Sequence, residues 1–222
     1  REFLQTGNPE MALEKFRQGL EYVRKEESKL PETGVWYLMH WKRVLMMWQA
    51  CALCDLGRIS EAEALYKEVD GLIPIPSYTK KLPRVCWCKN PGYVAGKIAI
   101  ARKDGAAAVR FLEESIRKIY GESYYTNSDH AYLFDLLGDA YELNGQLDKA
   151  AETYTRIREL QNGRGEWGAV YTRSFYKLGK VYEQMGRKDE ARKEYTKFLD
   201  LWKDADPGQP EVEDAKKLLA AL

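Results

Sequence analysis

The sequence predicts an all-α chain of consecutive two-helix hairpins, and three observations predict it. Phe134, Leu137, Gly138 and Tyr141, then Ala150, Tyr154 and Ile157, fall at helical spacing on either side of Gly145, which reads as a helix, a turn and a second helix. The pattern returns at Phe175, Leu178, Gly179, Tyr182, Gly186, Ala191 and Tyr195. Finally, 222 residues that are 45% hydrophobic and 31% charged can bury a sizeable core and are not compositionally disordered. Gly138 and Ala150 are small where large side chains would be expected, so two helix backbones can approach while Phe134, Tyr141 and Tyr154 fill the space around them.

Taken in order, the chain opens inside a first helix: Phe3 to Phe16 aligns with Tyr182 to Tyr195, the Gly, the Ala and the second aromatic coinciding. The sequence is therefore expected to be cut from a longer array. The second hairpin carries Ala50, Leu53, Gly57, Ala62 and Tyr66, after a long first helix from Val35 to Leu56. Ser60 and Glu63 are spaced as a capping box at the start of its second helix. The third has Gly96, Ala99, Ala108 and Leu112, with Gly92 where an aromatic belongs and Lys103-Asp104-Gly105 in place of a simple Gly turn. Pro74, Pro76, Pro83 and Pro91 exclude a continuous helix over Ile73 to Pro91. After the fifth hairpin, Asp206 to Pro210 stops the helix. Val212, Ala215, Leu218 and Leu219 then share one face of a final amphipathic helix, a lid for an otherwise bare apolar side. The expected organisation is one domain, 1–222, with units at 1–30 (partial), 35–74, 89–121, 128–161 and 168–203 and a capping helix at 209–222.

The Leu-Gly and Tyr of each first helix, with the Ala and aromatic of each second, resemble the tetratricopeptide repeat (TPR) pattern. The second-helix alanines, Ala12, Ala62, Ala108, Ala150 and Ala191, lie 50, 46, 42 and 41 residues apart, against a family period of about 34. That implies longer helices or connections, and leaves HEAT-like hairpins as an alternative. The resemblance implies a right-handed superhelix, an α-solenoid, whose first helices line a concave groove that binds extended or helical peptides.

Counted from the Leu-Gly pairs, the groove-facing positions are Val44, Met47, Cys51 and Cys54; Asn90, Tyr93, Lys97 and Ile100; Tyr132, Asp135, Asp139 and Glu142; and Arg173, Tyr176, Lys180 and Glu183. Such a groove is apolar and thiol-rich at one end, acidic in the middle and mixed at the other. Trp87 and Trp167 are expected loop contacts, since an aromatic with a polar edge suits an interface. The family's clamp for C-terminal carboxylates is not reproduced, because Met47, Cys51, Tyr93 and Asp135 stand where it needs Lys or Asn. The tail Lys197 to Leu222 looks like the last repeat of TPR regions in bacterial multidomain regulators, including Ser/Thr kinases and transcriptional activators. The implied role is a non-enzymatic scaffold for a protein or peptide, the interaction or sensor region of a larger protein.

Charge and motifs narrow the field further. Thirty-five basic against 34 acidic residues leave +1, so neither nucleic acid nor an anionic membrane is an expected partner. His40, Lys42 and Arg43 interrupt the greasiest stretch, which reads as a buried helix rather than a membrane span. Four cysteines in a chain this long suggest reduced thiols and a cytoplasmic setting. Cys51, Cys54, Cys86 and Cys88 could supply four thiolates to zinc. The first pair sits within a helix and the second has a one-residue spacer, so packed thiols are the expectation and no cofactor is assigned. Gly163 to Val170 matches G-x-G-x-x-G-x-V without the strand and companion motifs of a nucleotide loop. With two histidines in the chain, a Ser-His-Asp or Cys-His arrangement has little material, and no catalytic residues are assigned. A purely architectural or self-associating role is the remaining alternative.

Overall fold

The computed structural model describes residues 8–27, 29, 32–71, 92–122, 130–160, 168–204 and 209–222. Among them the regular elements are helices: α1 Pro9–Glu27, α2 Glu32–Asp55, α3 Ile59–Gly71, α4 Gly92–Ala101, α5 Gly105–Glu122, α6 His130–Leu143, α7 Leu147–Glu159, α8 Gly168–Gln184, α9 Lys188–Leu201 and α10 Pro210–Ala221. They fall into two compact units, Arg1–Tyr125 and Thr126–Leu222. The class is all-α, built of helical hairpins of the α-solenoid kind.

Four hairpin turns share one backbone solution. Gly57, Gly145 and Gly186 take φ near +71 to +74°, and Lys103 takes +61° at the corresponding place between α4 and α5. In each turn that residue donates its N–H three residues back, and the next residue donates five residues back: Arg58 to Leu53, Asp104 to Ala99, Gln146 to Tyr141 and Arg187 to Tyr182, all at 2.8–2.9 Å. This is the Schellman closure, which satisfies the last carbonyls of the first helix and aims the chain into the second. The third hairpin thus keeps the turn of its neighbours although a lysine bears the left-handed strain. Asp104 then caps α5, its Oδ1 accepting from the Ala107 N–H at 2.9 Å, as Asn8 caps α1 through the Met11 N–H at 3.1 Å. The capping box expected at Ser60 and Glu63 does not form. Helix α3 starts at Ile59, so Ser60 already lies in its first turn, and Glu63 instead pairs with Arg102.

Three hairpins close around a residue without a side chain. Gly96 and Leu112, Gly138 and Tyr154, and Gly179 and Tyr195 are each 16 residues apart. A Cβ on Gly179 would lie 2.6 Å from the Tyr195 ring, one on Gly96 2.5 Å from Leu112, and one on Gly138 would land in the ring of Tyr154. Leu112, Tyr154 and Tyr195 are fully buried. The second helix sits against bare backbone of the first, and the side chain opposite fills the gap.

In the first unit α2 is packed from two sides. Trp48 stacks on Phe16 of α1 at 6.2 Å between ring centroids and meets Tyr93 of α4 edge-on at 6.4 Å. Consequently Met46 to Cys54 are buried all round the helix. No helix among the described residues is long and apolar enough to cross a membrane. In the second unit, Phe175, Ala191, Tyr195, Phe198 and Ala215 form a core joining α8, α9 and α10, flanked by Val212, Leu218, Leu219 and Leu222. Helix α10 therefore covers the apolar face of the fifth hairpin, as the final amphipathic pattern anticipates.

Candidate functional site

The positions of the second unit expected to face a groove lie on α6 and α8, and most of their charged side chains are engaged within the chain. Lys177 of α8 donates to Asp135 Oδ1 at 2.8 Å and to Asp139 Oδ2 at 2.9 Å on α6. Tyr154 of α7 donates its hydroxyl to Asp139 Oδ1 at 2.7 Å, and Gln184 Nε2 donates to Glu142 at 2.5 Å. The acidic middle expected from sequence is thus engaged within the chain: Asp135 and Asp139 share the Lys177 ammonium, Glu142 accepts from Gln184, and all three link α8 to α6. Burial alone would lower Lys177, but the two carboxylates outweigh it and hold its pKa above the ordinary lysine value. Burial, with Asp139 beside it, raises Asp135 above the usual carboxylate range even though Lys177 opposes the shift. Burial, then the adjacent Asp139 and Asp135, likewise keeps the Tyr154 phenol neutral well past its ordinary pKa.

On the other side of α8, Arg173 and Tyr176 reach α10. The Arg173 guanidinium lies 3.0 Å from Glu211, and Tyr176 donates to Asp214 Oδ2 at 2.6 Å. Tyr195 donates to Glu183 at 2.9 Å. Of the four α8 positions expected to face a partner, three therefore serve contacts within the chain. Lys180 has its ammonium 5.6 Å from the Tyr176 ring centroid. Tyr132 is half-buried on α6.

In the first unit the expected thiol-rich lining is corrected. Val44, Met47, Cys51, Cys54 and Tyr93 are buried, because the α2 face that carries the first four is enclosed by its neighbours, with Tyr93 of α4 packed against it. Lys97 pairs with Asp55 at 2.8 Å, and Ile100 is half-buried. Asn90, Trp87 and Trp167 lie outside the described residues, as do Cys86 and Cys88, so the four-cysteine arrangement is not on view. Among the described residues no group of three or more His, Cys, Asp or Glu is placed to hold a metal ion. Gly168 to Val170, the end of the glycine-rich match, open α8 as helix.

Burial pushes the Cys54 thiol up to about 11 and Cys51 higher still, with the nearby Lys97 only partly opposing it. About three pH units below such a value roughly one thiol in a thousand is thiolate. Iodoacetamide should therefore leave both residues unmodified in the native chain and alkylate them in denaturant, read by peptide mass spectrometry. Rapid native labelling of Cys51 would contradict its burial.

Sequence reasoning missed Lys177, Gln184, Glu211 and Asp214. The signal was present as spacing. The bonds between α6 and α8 join residues 38 or 42 apart, straddling the 41 residues that separate Gly138 from Gly179. Tyr176 and Asp214 are also 38 apart. A second cross-hairpin link, Arg158 to Glu194 at 2.7 Å with the guanidinium 3.7 Å over Phe175, joins α7 to α9.

Comparison with known proteins agrees with this geometry. No curated protein matches the chain in sequence. In fold it is similar to BtubC (BKLC) from P. vanneervenii, with a TM-score of 0.69 at 14% identity over 96% of this chain and 82% of that one. It also overlaps the MamA RS-1 ArsTM double mutant, at TM-score 0.49 and 20% identity over 93% and 92% of the two chains. Residues 133–160 and 172–201 each match a tetratricopeptide repeat family model, and these are the hairpins α6–α7 and α8–α9 with their glycine–tyrosine closures. The second unit thus carries two tetratricopeptide repeats.

Proposed function

We propose that the chain is a non-catalytic recognition scaffold that binds a peptide or protein segment along the first helices of its hairpins, as the interaction region of a larger bacterial signalling or regulatory protein. Tetratricopeptide repeats are generally protein-interaction modules, and the matched repeats support that reading. The observation that carries it further is Lys180. Among the charged side chains described on α6 and α8, Asp135, Asp139, Glu142, Arg173, Lys177 and Glu183 all have partners inside the chain. Lys180 is half-buried on the aromatic face of Tyr176 and forms no ion pair with a carboxylate among the described residues. A ligand seated there brings a carboxylate to it, and the desolvated setting makes that pair stronger than a surface one.

Selection of a random peptide display library on the native chain tests this. Recovered peptides should be rich in Asp and Glu. Their affinity should fall at least tenfold for Lys180→Glu while Lys193→Glu, on the exposed side of α9, leaves it unchanged. Failure to recover any peptide, or recovery of peptides indifferent to Lys180→Glu, would count against this site.

A further inference from the structure

Helix α10 stands to α8 much as α8 stands to α6. Lys177 reaches back 38 residues to Asp139, and the Tyr176–Asp214 contact spans the same 38. Arg173 and Glu211 have that offset too, at 3.0 Å. The final helix thus fills the place that the first helix of another hairpin would take, and does so through side chains at two groove-facing positions of α8. Its grip is slight. Ala215 is its only fully buried residue, while Val212, Leu218, Leu219 and Leu222 stay partly exposed. At 12 residues it is too short to be a stable helix alone in water.

We propose that α10 is an internal occupant of a helix-docking site on α8 and α9. Its release would admit, in trans, an amphipathic helix with the same pattern: two carboxylates three residues apart on one edge, then a small residue and leucines on the apolar face. The complementarity is already visible. Arg173 takes one carboxylate and the Tyr176 hydroxyl the other, and Tyr176 packs 5.4 Å from Phe198 and 6.3 Å from Tyr195 between ring centroids. Ala215 fits the closest approach, where a larger side chain would hold the helices apart. Burial and the Asp214 hydrogen bond both keep the Tyr176 phenol protonated, so it acts as a donor throughout the neutral range. The proposal deepens the recognition reading by adding a gate to it. Its test is separate from that of Lys180, because the probe is the chain's own helix.

The probe is a fluorescent synthetic peptide of residues 209–222, QPEVEDAKKLLAAL, titrated with the 222-residue chain. The native chain, whose site is filled, should bind it weakly. Glu211→Gln with Asp214→Asn keeps the receiving residues but loosens α10, and should bind the unmodified peptide at least tenfold more tightly. Adding Arg173→Gln and Tyr176→Phe should abolish the gain. Circular dichroism of each variant checks that the hairpins remain folded. Equal binding by the native chain and the loosened variant overturns the proposal, as does a gain that survives loss of Arg173 and Tyr176. Sedimentation of the native chain separates the remaining occupant. A dimer dispersed by excess peptide would mean that α10 is exchanged between two copies, and would overturn its role as an internal gate.

Discussion

Gly138→Ala should destabilise the chain by about 3 kcal/mol, whereas Gly19→Ala should be neutral or stabilising. Both glycines lie inside helices, where alanine is favoured by about 1 kcal/mol, so propensity alone gives the two substitutions the same sign. What the new methyl meets separates them. At Gly19 it would lie 3.2 Å from the δ-carbons of Leu45, a half-buried and flexible side chain that can give a few tenths of an ångström. At Gly138 it would enter the ring of Tyr154, which is 0% exposed and anchored through its hydroxyl to Asp139 at 2.7 Å. The ring can move only by leaving that carboxylate and pushing α7 off α6. Overpacking of this kind costs about 1–3 kcal/mol, and loss of a hydrogen bond to a charged acceptor adds about 1.5–3 kcal/mol. Urea titrations followed by far-ultraviolet circular dichroism give the comparison directly. Equal midpoints for the two variants would mean that the hairpin does not close on Gly138.

That closure was legible in the sequence because it is local. Gly138, Tyr154 and the turn at Gly145 lie within one stretch, and the second copy from Phe175 to Tyr195 confirms the pattern by repetition. The third hairpin was harder to read because Leu112 replaces the tyrosine and Lys103 the turn glycine, yet the backbone is unchanged. The lining was read less well, for two physical reasons. Counting along a helix face identifies which residues share a side but not what the next helix brings to it. Lys177 sits one position after Tyr176 and so fell outside the counted series, although it is the cation that both aspartates of α6 share. In α2, Val44 and Met46 to Cys54 are buried on every side, so no polar edge marks which face is open. Arg173 and Tyr176 were counted as partner-facing, whereas the polar groups that meet them, Glu211 and Asp214, lie on α10, whose sequence pattern showed only its apolar side.

Lys177→Met should lower stability by about 3 kcal/mol at neutral pH and give it a pH dependence that identifies the cause. The ammonium is 17% exposed and lies between carboxylates that are 16% and 32% exposed. Methionine keeps most of the packing volume and removes the charge, leaving two nearby carboxylates without their cation. Breaking a buried pair from one side costs about 3–5 kcal/mol, and the partial exposure here places the expectation at the lower end. In the native chain Lys177 has a raised pKa, so its stabilising contribution is complete below the ordinary lysine value and is lost only as pH rises through the folded one. In the variant the chief group opposing the rise of Asp135 is gone. Burial and Asp139 then push that carboxyl further up, and the folded state binds a proton that the unfolded state does not. Stability of Lys177→Met should therefore increase as pH falls from neutral through the raised Asp135 pKa toward the ordinary carboxylate value, and Asp135→Asn in the same background should recover at least half of the loss. Denaturant midpoints across that pH range decide the matter. A loss independent of pH and untouched by Asp135→Asn would mean that Lys177 acts through its methylenes, and that α6 and α8 are joined by packing rather than by the charges between them.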